Sequence, residues 1–130
     1  MESPESRSQI MRAVKSRDTV PEILVRRMLH AAGYRFRLNV GSLPGCPDLV
    51  FPSRQKVIFV NGCFWHGHKC LRGARIPKKN RDYWTKKIAR NRERDSQNLR
   101  ELRTLGWKAL TVWECQVKAI KLGRLRKFLE

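Results

Sequence analysis

Three of the four cysteines and one of the three histidines of this chain are spaced as metal ligands would be. Cys63, His68 and Cys70 fall within eight residues of one another, and Cys115 follows a predicted strand later in the chain. Three thiolates and one imidazole form a closed tetrahedral set for Zn²⁺, which is typical of a structural site. The spacing therefore predicts a zinc ion that ties an irregular loop to a distant strand. The alternative is that these cysteines are unrelated buried thiols, each packed as a small apolar side chain.

Acidic side chains are scarce, and one of the eleven stands at an unusual place. Asp48 opens a predicted strand directly after Pro47, at the end of a run rich in glycine and proline. A carboxylate in such a place can hold a divalent cation beside a scissile phosphate, as metal-dependent nucleases require. The alternative is that Pro-Asp is an ordinary turn dipeptide.

A second carboxylate, Asp95, lies on the apolar stripe of a predicted long helix, four residues before Leu99. A carboxylate that faces inward is costly unless it is paired. His66 from the nearby loop is the natural partner, since His68 is assigned to zinc. A histidine held by an aspartate is a general acid–base pair. The alternative is an ion pair with an arginine on the same helix.

Composition narrows the class of partner. The 130 residues carry 29 Lys and Arg against 11 Asp and Glu, so the net charge is +18. Such an excess indicates a polyanionic partner, most simply nucleic acid, although a ribosome-like structural binder would have a similar composition. No apolar run is long enough to span a membrane. Because no signal peptide opens the chain, we expect thiols or metal ligands rather than disulfides, and Cys46 to have no partner.

Two adjacent aromatic residues, Phe64 and Trp65, lie in the basic loop directly before His66. Exposed aromatic rings among cations can stack on bases or wedge between them. The alternative is that one of the two rings packs in the core.

The elements that must position these side chains alternate between helices and strands. The predicted helices cover about residues 6–14, 20–32, 81–105 and 117–129. The predicted strands cover about residues 34–39, 48–51, 56–60 and 107–113. A loop covers 62–77. This order predicts a single α/β domain, residues 1–130, in which helices flank a small mixed sheet.

Several runs together resemble the very short patch repair (Vsr) DNA mismatch endonucleases. They are SLPGCPD (42–48), VIFVNGCFWHGHKC (57–70), NRERD (91–95), LGW (105–107) and VWEC (112–115). The resemblance also includes residues 11–14 and 17–19, so it covers nearly the whole chain. It implies a restriction-endonuclease-like fold and an enzyme that nicks one DNA strand 5′ to the thymine of a T·G mismatch. Residues 1–18 would form a DNA-contacting N-terminal helix region.

The resemblance also implies roles for particular residues of the cleft. Asp48 would be the catalytic carboxylate and a ligand of Mg²⁺, and the backbone carbonyl of Val60 would be a second ligand. His66 would be the general base or acid, with Asp95 hydrogen-bonded to it. Glu22 would be the outer carboxylate of the metal-water shell.

Further implied roles concern zinc and DNA. The structural Zn²⁺ ligands would be Cys63, His68, Cys70 and Cys115. The aromatic side chains of Phe64, Trp65 and Trp84 would wedge into DNA beside the mismatch, and Met11 would enter from the opposite groove. Two departures from the family pattern are Asn61, where the best-known members have a histidine, and Cys46, where they have an arginine.

The expected partner is double-stranded DNA with a T·G mismatch, bound by a monomer in the bacterial cytoplasm at the nucleoid. Contact with other mismatch-repair proteins is expected, and contact with a membrane is not. Two alternatives to this function remain open. One is a non-catalytic, zinc-stapled DNA-binding module, and the other is a related nicking nuclease without mismatch preference.

Overall fold

The computed structural model describes residues 19–63, 66–68, 70, 76–117 and 119–130. The predicted helix over 6–14, Met11, Phe64 and Trp65 lie outside these residues. Within the described residues no helix combines the length and apolar character that a membrane crossing needs.

A four-stranded mixed sheet forms the centre of the fold, as predicted. Its strands are β1 (Arg37–Leu38), β2 (Leu49–Phe51), β3 (Lys56–Asn61) and β4 (Lys108–Trp113). Their order in the sheet is β1-β2-β3-β4. The pairings of β1 with β2 and of β2 with β3 are antiparallel, whereas β3 and β4 are parallel. The parallel pair requires a long crossover, and the loop and long helix between β3 and β4 supply it.

Three helices flank the sheet among the described residues: α1 (Val20–Ala31), α2 (Arg81–Thr104) and α3 (Leu122–Leu129). Short 3₁₀ turns follow β2 at Pro52–Arg54 and β4 at Glu114–Gln116. Helix α1 begins after Thr19, whose hydroxyl accepts the Glu22 N–H at 3.5 Å. Thr19 is therefore the N-cap, and Pro21 lies in the first turn.

The two faces of the sheet bury different helices. Side chains alternate between the faces of a strand, so neighbouring residues of β2 and β3 enter different clusters. On one face, α1 and α3 pack against the sheet. The buried side chains of that cluster include Val25, Leu29, Leu49, Phe51, Ile58, Val112, Leu125 and Leu129. On the other face, Leu102 of α2 packs with Val50 and Val57. The same alternation directs Asp48, Phe59, Asn61 and Thr111 toward the α2 face.

The first strand is shorter than the predicted 34–39. Tyr34 and Phe36 do alternate inward, and both rings pack edge-on against Phe51, at centroid distances of 6.4 and 5.7 Å. The backbone, however, pairs with β2 only at Arg37 and Leu38. Asn39 then adopts a left-handed conformation with φ of 49°, which ends the strand.

The boundaries of the last two helices also differ from the prediction. The final helix begins at Leu122 rather than near residue 117, because the 3₁₀ turn after β4 and an extended Lys121 interrupt the helical pattern. Val117 and Ile120 are nevertheless buried, so their apolar spacing reflects packing in the core and not a helical backbone. Helix α2 ends at Thr104, one residue before the predicted end, and Leu105 is 59% exposed.

Candidate active site and metal cluster

Asp48 lies where the ladder between β2 and β3 ends. Its Oδ2 accepts the backbone N–H of Val60 at 2.6 Å. The last backbone pair on this side is Leu49 with Ile58, so the carboxylate continues the ladder by one more hydrogen bond. The side chain is thereby fixed at the edge of the sheet.

A second carboxylate, from helix α1, stands beside the first. The Glu22 side chain is 2% exposed, and its Oε2 accepts a hydrogen bond from the Arg26 guanidinium at 2.9 Å. Glu22 also hydrogen-bonds Asp48. Burial and the neighbouring Glu22 raise the pKa of Asp48 to about 7, against the lowering effects of the Val60 N–H and of Arg26. The raised pKa means that the Asp48 carboxyl group favours either a bound proton or a neighbouring cation.

His66 and Asp95 meet on the opposite wall. Asp95 Oδ2 lies 2.5 Å from His66 Nδ1, and the two side chains are 31% and 28% exposed. A carboxylate at Nδ1 selects the tautomer with its proton on that nitrogen, which leaves Nε2 free to accept one. The structure therefore brings together the pair that the helical stripe predicted.

Asp48 and the His66–Asp95 pair line one cleft of about 740 Å³. Sheet, loop and helix α2 all contribute to its walls. Its lining residues are Asn39, Gly45, Cys46, Asp48, Phe59, Val60, Asn61, His66, Arg94, Asp95, Asn98, Leu99 and Thr111. Cys46, predicted to have no partner, is an exposed free thiol at the mouth of this cleft.

The four predicted zinc ligands are gathered next to the cleft. One ligand atom from each of Cys63, His68, Cys70 and Cys115 lies within 4.8 Å of the other three. The Cys115 N–H is 3.4 Å from the Cys63 Sγ. Burial raises the pKa of the Cys63 thiol to about 12, so this sulfur needs a cation beside it to become a thiolate. The donor set and its spacing fit a structural Zn²⁺, and the cluster could hold one.

Two residues that sequence reasoning did not single out lie in or against the loop that carries His66 and His68. Gly67 adopts a left-handed φ of 62°, and a Cβ added there would lie 2.7 Å from Ile88 Cγ2 on α2. Trp113, the last residue of β4, stacks on His68 with ring centroids 4.2 Å apart. The glycine between two histidines was a usable signal for Gly67, whereas nothing local in the sequence indicates the position of the Trp113 ring.

The aromatic residues assigned to DNA by resemblance are only partly described. Phe64 and Trp65 lie outside the described residues, as does Met11. Trp84 is 4% exposed, whereas Tyr83, whose ring centroid lies 5.0 Å away, is 51% exposed. Of the two adjacent rings on α2, Tyr83 is therefore the one that faces solvent.

Known proteins resemble this chain over most of its length. The family pattern described as DNA mismatch endonuclease Vsr matches residues 1–72. The type II nicking enzyme V.XorIIP of Xanthomonas oryzae is 48% identical over 98% of this chain and 95% of its own length. The type II nicking enzyme V.NmeAIP of Neisseria meningitidis is 46% identical over 92% and 85%. The DNA mismatch endonuclease Vsr of Escherichia coli is 42% identical over 87% and 72%.

Proposed function

The chain belongs to the Vsr family of DNA mismatch endonucleases, and from that premise we propose that it nicks one strand of duplex DNA 5′ to the thymine of a T·G mismatch, using Mg²⁺ at Asp48. Its family and its nicking-enzyme relatives make it a DNA nicking endonuclease. The mismatch preference, the metal and the residue roles are the proposal. The observation that carries it is the convergence of Asp48 and the His66–Asp95 pair on a single cleft.

Mg²⁺ suits the carboxylate side of the cleft. The side chain of Asp48 and the backbone carbonyl of Val60 would hold the ion, and Glu22 would act on its water shell. The fit rests on the raised pKa of Asp48, because a divalent cation next to two carboxyl groups relieves their repulsion. When bound, Mg²⁺ would polarise the scissile phosphate and stabilise the leaving 3′ oxygen.

His66 would move the proton of the attacking water. Its Nε2 accepts that proton, while Asp95 keeps the other nitrogen protonated and stabilises the imidazolium that forms. Because both side chains are about 30% exposed, water can reach the imidazole from the cleft. His66→Ala would therefore abolish nicking and leave mismatch binding nearly intact.

Recognition of the mismatch would come from aromatic residues that enter the stack. A T·G pair costs less to unstack than T·A, so insertion of Phe64 and Trp65 beside the mismatch is easiest there. Trp84 would have to leave its buried position to join them, and Met11 would enter the opposite groove. Trp65→Ala would then lower T·G preference and nicking together.

The +18 charge supports double-stranded DNA as the partner, and it would make binding strongly dependent on salt. We place the chain at the nucleoid of a bacterial cytoplasm as a monomeric single domain, with residues 1–18 as a DNA-contacting segment. Contact with other mismatch-repair proteins is part of the same proposal.

The test is strand-specific nicking of matched T·G and T·A duplexes in Mg²⁺, with binding followed by gel shift. The proposal predicts a cut in the thymine strand of the T·G duplex alone. The printed names of several relatives, type II nicking enzymes, favour a competing candidate that nicks without mismatch preference. Equal cutting of both duplexes would support that candidate. A shifted band without a cut strand would indicate a binding module.

A further inference from the structure

The ring of Trp113 lies between the metal cluster and the candidate general base. It stacks on His68 with ring centroids 4.2 Å apart and planes within 16°. The same ring meets His66 at 6.3 Å with planes 69° apart, which is an edge-to-face contact. One indole therefore contacts a cluster ligand with one surface and the histidine of the cleft with another.

Trp113 itself is held by the sheet. It is the last residue of β4 and pairs with Asn61 of β3, at the end of a parallel ladder of six residue pairs. The chain then turns directly into Cys115, another member of the cluster. The ring is thus attached to a rigid strand, whereas His66 is carried by an irregular loop.

Within the part of the chain that the structure describes, two contacts besides Trp113 restrain His66. The Asp95 hydrogen bond fixes one nitrogen, but rotation about that contact would still swing Nε2 through the cleft. Gly67 holds the neighbouring backbone close against α2, because any Cβ there would meet Ile88. Neither contact sets the plane of the imidazole, and the face or edge of a neighbouring aromatic ring can.

We infer that Trp113 is a positioning residue for nicking: its indole, fixed on β4 and stacked on His68, sets the plane of the His66 ring and so aims Nε2 at the attacking water. This inference rests on the proposed function, since it assigns a support to the base named there. It also gives the cluster a second use. Besides holding the loop, the cluster fixes His68, against which the positioning ring is stacked.

The test compares two substitutions at Trp113 with one at Trp107. Trp113→Leu keeps an apolar side chain but removes the aromatic ring, and Trp113→Phe restores a smaller ring. Trp107→Leu is the matched control: this residue is also a half-buried tryptophan, it directly precedes β4 at its other end, and it packs against Leu102 away from the cleft. All proteins are full-length and zinc-loaded, and nicking of the T·G duplex is measured under single turnover.

We expect Trp113→Leu to lower the rate constant at saturating enzyme by about tenfold, because loss of an aromatic contact is worth on the order of one power of ten in rate. The enzyme concentration at half-saturation should stay within about twofold, since DNA binding does not use this ring. Trp113→Phe should recover most of the rate. Trp107→Leu should lower the melting temperature and leave the rate constant unchanged. Zinc content should stay at one per chain throughout.

The inference is overturned if Trp113→Leu nicks at the wild-type rate, if Trp113→Phe is no better than Trp113→Leu, or if loss of zinc accounts for the lost rate. Failure of the proposed function would look different. In that case His66→Ala would retain wild-type nicking, or the wild-type chain would cut no strand at all, and the inference would fall with it.

Discussion

The metal-ligand cluster of Cys63, His68, Cys70 and Cys115 and the cleft that contains Asp48 lie side by side, but they differ in what holds their side chains together. In the cluster, four ligand atoms from the loop and the turn after β4 already lie within 4.8 Å of one another. In the cleft, burial of Asp48 and its hydrogen bond with the neighbouring Glu22 raise the pKa of Asp48. The cluster is complete once an ion is enclosed, whereas the cleft keeps an open side for substrate.

The cluster is a site that helps the chain to fold, whereas the carboxyl pair is a site whose charges the rest of the fold must hold together. Zinc in the cluster would contribute directly to the free energy of folding, because the unfolded chain has no preformed site. The carboxyl pair does the reverse above neutral pH, since two buried charges repel when no cation separates them. Substitution of a cluster ligand should therefore mainly lower stability, whereas substitution of a cleft carboxylate should mainly lower activity.

The largest effect should follow Asp48→Asn. Removal of the charge that is proposed to hold Mg²⁺ should lower T·G nicking by about a thousandfold or more, as loss of a metal or its electrostatic contribution does elsewhere. DNA binding, measured by gel shift, should be nearly unchanged. Asp82→Asn, an exposed aspartate in the first turn of α2, is the control and should nick normally. Wild-type nicking by Asp48→Asn would remove Asp48 from the mechanism.

The next effect concerns the cluster. Cys70→Ala should release about one equivalent of zinc per chain and lower stability by roughly 2–5 kcal/mol, because three ligands hold the ion less tightly than four. Calorimetry and metal analysis measure the two results. Cys46→Ala is the control, since Cys46 is an exposed thiol outside the cluster. Pure wild-type protein that contains no zinc, and whose melting is unchanged by chelation, would show that the cluster is not a zinc site.

A smaller effect should arise where the two regions join, at Gly67. Gly67→Ala combines a left-handed backbone with a Cβ 2.7 Å from Ile88, so the loop that carries His66 must move away from α2. We expect a loss of about 1–3 kcal/mol in stability together with slower nicking. Gly33→Ala is the control, because Gly33 has a φ of 96° but nothing within 4 Å of an added Cβ. Equal nicking by the two variants would mean that the close approach does not position His66.

The last effect is the pH dependence of stability, which develops gradually over several pH units. Asp48 releases its proton near pH 3.8 when unfolded and near pH 7 when folded. Between these values the folded chain holds the extra proton, so its contribution to stability is complete below pH 3.8 and falls as pH rises to about 7. The slope is at most about 1.4 kcal/mol per pH unit.

Asp48→Asn supplies the reference for that slope, because the amide can accept from Val60 and donate to Glu22 without ionising. In Mg²⁺-free buffer, the variant should become more stable than the wild type as pH rises from 5 to 8. Unfolding in urea at several pH values measures the difference, and zinc contributes equally to both proteins. A difference that does not change with pH would contradict the raised pKa of Asp48.

The sequence predicted the parts of this molecule whose determinants are local. The apolar run of β3, the long helix from Arg81 and the cysteine spacing each carry their own signal, and each appears in the structure. Asp95 was predictable for a related reason: a carboxylate on an apolar stripe needs a partner, and His66 was available.

Contacts between distant elements were not predictable from the residues alone. The burial of Glu22 depends on how α1 approaches the end of β2. In the sequence, its place three residues after the capping residue Thr19 indicates only the start of a helix. The stacking of Trp113 on His68 depends on where β4 lies relative to a loop without periodicity. The last helix begins at Leu122, five residues later than predicted.

The central claim is that the cluster holds the fold while the cleft cuts DNA with a different metal. The most direct measurement is nicking of a T·G duplex by zinc-loaded protein as Mg²⁺ is raised from zero, with zinc content and DNA binding followed in the same samples. The account predicts bound but uncut DNA without Mg²⁺, a saturable rise in cutting as Mg²⁺ is added, and constant zinc. Cutting at the full rate without Mg²⁺, or no cutting at any Mg²⁺ concentration, would contradict it.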